Sequence, residues 1–226
     1  MKKEVSIILP ALNEGKTVGK FIRDLRKLNI FREIIVVDNN STDNTKKEVL
    51  KNRAVYAFEK TKGYGAATKR GLLLATSKYL MTSEPEGSFN AKDSLKILKN
   101  LNKYDAVFTS RTSNKMDFYL KYGNIFYARI LSFLFNGPRL TDVGSTFRVF
   151  PKVTFDKFKK KINSIGPEFQ IELTINLIRE KLNIIEIPIK HKKRFGKSHY
   201  TGNFFDSLMV AIAFTKIVIL KFFKIT

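Results

Sequence analysis

Short apolar runs alternate with stretches of helical spacing along the first half of the chain. Residues 5–9 form an aliphatic, β-branched run. Val18, Phe21, Ile22, Leu25 and Leu28 then recur three and four residues apart, residues 34–37 make a second unbroken run, and a polar helix follows from Thr42. The rhythm continues with strands at residues 54–58, 79–82 and 106–109, separated by helices over 66–75 and 92–101. Strands apolar on both faces, alternating with amphipathic helices, predict a βαβ succession: a mostly parallel sheet covered on both sides and joined by right-handed crossovers.

Beyond Arg111 the pattern changes. Residues 118–135 are aromatic-rich and only weakly amphipathic, with Tyr119, Tyr122, Phe126, Tyr127, Phe133 and Phe135 beside Lys121 and Arg129. This reads either as a core helix or as a helix lying in a membrane interface. A strand at 146–150, a helix at 168–181 and a strand at 184–189 follow. No repeat or low-complexity linker divides the chain, so residues 1–202 are expected to form one domain.

Residues 203–226 form an apolar and basic C-terminal helix. A spanning helix needs roughly 20 mostly apolar residues, and a charge near its centre costs about 2.5–3.5 kcal/mol, which counts against a clean span through Lys216. Lys221 and Lys224 can instead snorkel toward headgroups, which suits a membrane-interface or homo-oligomer contact; docking on the domain's own core is the alternative. The opening residues are too short a run for a signal-peptide core, which places the expected protein at the cytoplasmic face of a membrane.

The formal charge of +22 adds a polyanionic partner to this picture: nucleic acid, an anionic membrane surface or phosphorylated substrates. Lysine far outnumbers arginine, so a general surface bias is the competing explanation. With no Cys and two His, disulfides, thiolate nucleophiles and cysteine-ligated zinc are excluded, and any metal must rely on oxygen ligands.

Candidate chemistry collects at the carboxyl ends of the predicted strands, where open α/β sheets bind ligands. Asn13 and Glu14 follow the first strand and Asp38 the second, facing one crevice in which a carboxylate can accept from a nucleobase or ribose. Helix capping by Asn13, Ser41 or Thr42 is the plainer reading of the same loops. Lys62-Gly63-Tyr64-Gly65 opens a helix, a geometry suited to phosphate oxygens, although it has neither P-loop nor Rossmann spacing. Glu84-Pro85-Glu86 places two carboxylates where both can address one divalent ion, or else forms an ordinary acidic turn. Arg111, Arg148, Arg194 and Lys197 lie in polar loops and suggest a second anionic site.

In this order the motifs resemble those of family 2 glycosyltransferases of the GT-A fold, especially the branch of dolichyl-phosphate mannose and glucose synthases. The resemblance runs from about Val5 to Gly202. It rests on Leu9–Glu14, Val36-Val37-Asp38 with Ser41-Thr42-Asp43, Lys62–Ala66, Glu84–Gly87, Ser110-Arg111, Thr141–Arg148, Glu168–Leu173 and Arg194–Ser198.

It implies an α/β, Rossmann-like GT-A domain and a UDP- or GDP-sugar donor. Pro10, Leu12, Asn13, Glu14, Asp38, Asn40, Gly63, Gly65, Lys69, Glu84 and Glu86 would surround that donor, and Glu84 and Glu86 would hold Mg²⁺ or Mn²⁺. It further implies that Glu86, Arg111, Asp142 and Arg148 carry the catalytic site, and that Arg111, Arg148, Arg194, Lys197 and Ser198 hold the acceptor phosphate.

Asn39 replaces the family's second aspartate, Asn40 a common glycine, Glu84 and Glu86 the metal-site aspartates, and His199 a lysine. The implied reaction is inverting transfer of a hexose to a polyprenyl phosphate. A glycan or lipid hydroxyl acceptor, with Glu168 or Asp142 as base, is the alternative, and a non-catalytic nucleotide-sugar binder is a third. A nucleic-acid partner is not expected, because the basic residues are dispersed and no recognition module occurs. The lack of Trp counts against a processive synthase.

Overall fold

A computed structural model describes residues 4–112, 118–192 and 204–223. Seven strands form one sheet: β1 (Val5–Ala11), β2 (Phe31–Asp38), β3 (Val55–Phe58), β4 (Tyr79–Thr82), β5 (Ala106–Thr112), β6 (Arg148–Pro151) and β7 (Ile184–Lys190). Their spatial order is β3-β2-β1-β4-β6-β5-β7. β1, β2, β3 and β4 pair in parallel, as do β5 and β7, whereas β6 runs antiparallel to both β4 and β5. The expected α/β sheet is thus present, with one reversed strand.

The unbroken apolar runs arise because both faces of the sheet are covered. Ile7 and Leu9 of β1, with Ile34 and Val36 of β2, pack on one face with α1 (Val18–Lys27), α2 (Thr45–Lys51) and α4 (Asp93–Asn100). Ile8, Ile35 and Val37 point to the other face. There they join a core cluster built with α3 (Tyr64–Leu74), α5 (Phe118–Leu134), α6 (Lys152–Phe158), α7 (Phe169–Arg179) and α8 (Phe204–Phe222). In α1, Val18, Phe21, Ile22 and Leu25 form the buried stripe, and Arg26 and Lys27 occupy the last turn, where the helix dipole favours cations. Asn29, at φ 53°, turns the chain out of the helix.

The tail helix α8 packs on the domain. Tyr127 Oη donates to the Ala211 carbonyl at 2.7 Å, its ring meets Phe214 edge-on, and Phe135 meets Phe222 the same way. Lys221 is buried against Glu172 of α7 and donates to the Lys161 carbonyl at 2.9 Å. Its ammonium therefore does not snorkel: a buried carboxylate satisfies it better than a headgroup would. Among the described residues no helix is long and apolar enough to cross a membrane.

Candidate active site

The sheet changes direction of connection at β1. Successive strands β2 and β3 lie on one side and β4 on the other, which makes the β1/β4 junction a topological switch point. β1 stays paired to β2 as far as Ala11 and Asp38, but its pairing with β4 ends at Ile8 and Thr82. Past that point the two chains separate. The cleft between them is lined by Pro10, Ala11, Leu12, Glu14, Asn39, Tyr64, Ala67, Glu84, Pro85 and Glu86.

The loops on the nucleotide side are laced to each other. Asn13, at φ 57°, accepts from Thr42 N at 2.8 Å and donates its own N–H to Ser41 Oγ at 2.9 Å. Glu14 N donates to Thr45 Oγ1, and Gly15 N to Asp43 Oδ2. The capping expectation is corrected accordingly: α2 begins at Thr45, Asp43 accepts from Thr45 N, and Asn13 braces the neighbouring loop. Asp38 is 4% exposed; its two oxygens accept from Ser41 N at 2.9 Å and Tyr56 Oη at 3.0 Å. Burial, together with the bond to Asp38 and its charge, pushes the Tyr56 phenol up to about 12.

The two family departures beside Asp38 have a physical reason. Asn39 donates to the Glu59 and Thr61 carbonyls and accepts from Gly63 N at 2.7 Å, a combination that only an amide can make. Asn40 stands at φ 70°, which asparagine tolerates almost as glycine does, and its amide also donates to the Glu59 carbonyl.

The glycine turn is not an open phosphate cradle. A Cβ on Gly63, at φ 144°, would fall 2.2 Å from the Ile165 carbonyl oxygen, and one on Gly65 would fall 2.6 Å from Cβ of Phe169. Ala66 N donates to Ile165 O at 3.0 Å, and Lys69 reaches the Ile162 carbonyl. Gly63, Gly65 and Lys69 thus dock α3 on the 162–166 segment, and none of the three is among the residues that line the cleft.

Near the end of β5, Arg111 grips Asp142 with two of its guanidinium nitrogens. Nε lies 2.7 Å from Oδ2 and Nη2 2.8 Å from Oδ1, while Arg111 N also donates to Oδ2. Burial works against the guanidinium charge, but Asp142 first, and then Glu84 and Glu86, more than offset it and raise the group above its ordinary value. Burial would likewise raise the Asp142 carboxyl, yet Arg111 holds it below the usual carboxylate range. Glu186 of β7 accepts from the backbone N–H groups of Thr141 and Asp142 and so fixes that turn.

Arg148 is completely buried. It donates to the Ser145 and Val143 carbonyls and to Thr174 Oγ1, and it stacks 4.6 Å over the Phe108 ring. Burial pulls it down to about 10. Its expected place at a phosphate is corrected: its donors hold the 143–145 turn from behind.

Of the sequence-predicted donor residues, Pro10, Leu12, Glu14, Glu84 and Glu86 line the cleft. Asn13, Asp38 and Asn40 build the wall beside it. Arg194, Lys197 and Ser198 lie outside the described residues. Tyr64, Gln170 and Glu186 were not anticipated. For Tyr64 the sequence signal is its place inside the glycine turn and for Gln170 its place inside the Glu168–Leu173 motif; Glu186 carries none.

Among the described residues no three His, Asp or Glu side chains converge as a ready metal cage. Glu84 and Glu86 nevertheless supply two hard oxygen donors on one cleft wall. That set fits a divalent cation whose remaining positions are filled by water and diphosphate oxygens.

Comparison with known proteins matches this architecture. The model for the family described as glycosyl transferase family 2 covers residues 6–162. The UDP-N-acetylglucosamine–dolichyl-phosphate N-acetylglucosaminyltransferase of Methanococcus voltae is 29% identical over 217 residues, covering 83% of this chain and 85% of that protein. The dolichyl-phosphate beta-glucosyltransferase of Saccharomyces cerevisiae is 23% identical, covering 82% of this chain and 66% of its own. Among solved structures, glucosyl-3-phosphoglycerate synthase from Mycobacterium tuberculosis, in complex with Mn²⁺, UDP and glucosyl-3-phosphoglycerate, shares the GT-A fold. Its TM-score is 0.75 at 15% identity, with 98% of this chain and 80% of that chain covered. The same enzyme has been solved with Mg²⁺ and UDP.

Proposed function

The chain belongs to glycosyl transferase family 2, and on that premise we propose that it moves a hexose from a UDP- or GDP-sugar to a polyprenyl phosphate, with inversion, at the cytoplasmic surface of a membrane. The observation that carries this reading is the Arg111–Asp142 pair, whose guanidinium also feels the charges of Glu84 and Glu86. It supplies a fixed cation for phosphate, and it leaves the adjacent carboxylate too strongly neutralised to act as a base.

A phosphate monoester has its second pKa near about 6, so the acceptor oxygen is already largely ionised at neutral pH. That oxygen attacks the anomeric carbon from the face opposite the diphosphate, the new C–O bond forms as the old one breaks, and no proton need be removed. A divalent cation held by Glu84 and Glu86 would neutralise charge on the departing diphosphate. The chain's residues orient and stabilise: Pro10 to Leu12 wall the donor, the Asp38–Asn39 turn flanks its base, and Arg111 holds phosphate oxygens in line.

Two relatives named for transfer involving dolichyl phosphate support the acceptor class. Exposed aromatics on α5 (Phe118, Tyr122, Phe126, Phe133) and apolar residues on α8 (Phe205, Met209, Ile212, Phe222), in a chain of net charge +22, support an anionic bilayer surface as partner. The test is incubation with labelled UDP- and GDP-sugars, short polyprenyl phosphates and Mg²⁺ or Mn²⁺. A lipid-linked sugar is expected; its absence with every donor overturns the reading.

A further inference from the structure

We infer that Ser88 is a positioning residue for Glu86, its hydroxyl fixing the direction in which that carboxylate meets a divalent cation. The inference rests on the proposed donor site and extends it to a residue outside the cleft.

Ser88 Oγ donates to Glu86 Oε1 at 2.8 Å, where Glu86 is 6% exposed and Ser88 is fully buried. Gly87 stands between them at φ 84°, and this left-handed residue turns the chain so that the side chain two positions on comes back to the carboxylate. A buried carboxylate needs hydrogen-bond donors, and a bond from a hydroxyl to a charged oxygen is stronger than a neutral one. Helix capping does not account for the hydroxyl, because the next helix, α4, begins at Asp93.

Ser88 is itself held from two sides. Its carbonyl accepts from Lys192 N at 2.9 Å, just beyond the end of β7. The ring of the next residue, Phe89, meets Phe147 edge-on with centroids 5.3 Å apart and His191 in the same way at 5.2 Å. The hydroxyl therefore sits on a turn stitched to the exit of β7 and to the entry of β6. Glu86 lines the cleft and Ser88 does not, so the hydroxyl acts on the site through Glu86. A hydrogen bond that orients a metal ligand from behind typically contributes roughly ten- to a hundredfold in metal affinity.

The test is Mn²⁺ binding by electron paramagnetic resonance with UDP present, using the full chain. Ser88→Ala removes only the hydroxyl, and it is expected to weaken Mn²⁺ uptake by about tenfold or more, with metal-free UDP affinity unchanged. Excess Mn²⁺ should bring the UDP affinity of this variant back to that of the wild type. Ser88→Cys, whose thiol is a weaker donor, should fall between the two and carries the test if the alanine variant does not fold. Unchanged Mn²⁺ affinity in the folded variants, or an equal loss of metal-free UDP affinity, overturns the inference and leaves the donor site standing. No Mn²⁺ uptake by the wild type overturns both.

Discussion

Nζ of Lys221 lies 2.8 Å from Oε1 of Glu172, with both side chains at most 2% exposed. The pair joins α8 to α7, and Glu172 also accepts from Ser164 N at 2.8 Å, in the segment on which α3 rests. Lys221→Met leaves a buried carboxylate without its cation and is expected to cost about 3–5 kcal/mol in denaturant unfolding. The double variant Lys221→Met/Glu172→Gln should cost less than that single change, because it also removes the stranded charge.

The same pair sets an acid limit. Burial would raise the Glu172 carboxyl, but Lys221 and Ser164 bring it below its ordinary value of 4.5. A group depressed in the folded state stabilises it above the unfolded value, and that contribution is lost as pH falls through the folded value. Wild-type stability should therefore decline as the medium is acidified below 4.5, and Glu172→Gln should show a flatter profile there. Equal slopes in acid unfolding curves would contradict this.

Arg111→Lys replaces a two-armed grip with a single point charge. The expected loss in kcat/KM is about 10²- to 10³-fold. Asp142→Asn should lower the rate by loosening Arg111, while the shape of the pH–rate profile persists. Disappearance of the acid-side limb in that variant would identify Asp142 as a base and favour a hydroxyl acceptor.

Asn39→Asp restores the residue common in the family, yet here it turns a carboxylate toward the Glu59 and Thr61 carbonyls. A destabilisation of about 1–3 kcal/mol is expected from the unpaired buried groups. Equal or greater stability by thermal unfolding would show that the amide is not needed.

Gly65→Ala tests packing against phosphate binding. The added Cβ would meet Phe169 Cβ at 2.6 Å and two backbone oxygens at 2.9 Å, so overpacking of about 1–3 kcal/mol is expected. A variant of undiminished stability that has lost UDP affinity would return the turn to a phosphate role.

The strands at the cleft were legible because each is buried on both faces and reads as an unbroken apolar run; residues 79–82 match β4 in both bounds. The reversed direction of β6 was not legible, since four residues carry no mark of direction. α6 was missed because its buried Thr154, Phe155 and Phe158 follow Pro151 directly and look like the end of a strand. The place of Glu84 and Glu86 at the cleft was suggested by the family resemblance, because their spacing alone suits an ordinary acidic turn equally well. Arg148 was not, because a lone arginine in a polar loop looks solvated until the loop's carbonyls fold over it. Lys221 and Glu172 are too far apart in sequence for either to announce the other.

The central claim is transfer to phosphate. The most direct measurement offers the enzyme a labelled donor with equal amounts of a short polyprenyl phosphate and the corresponding polyprenol, in the presence of Mn²⁺ and vesicles. Label is expected on the phosphate lipid alone, and label on the polyprenol, or on neither lipid with any UDP- or GDP-sugar, would contradict the account.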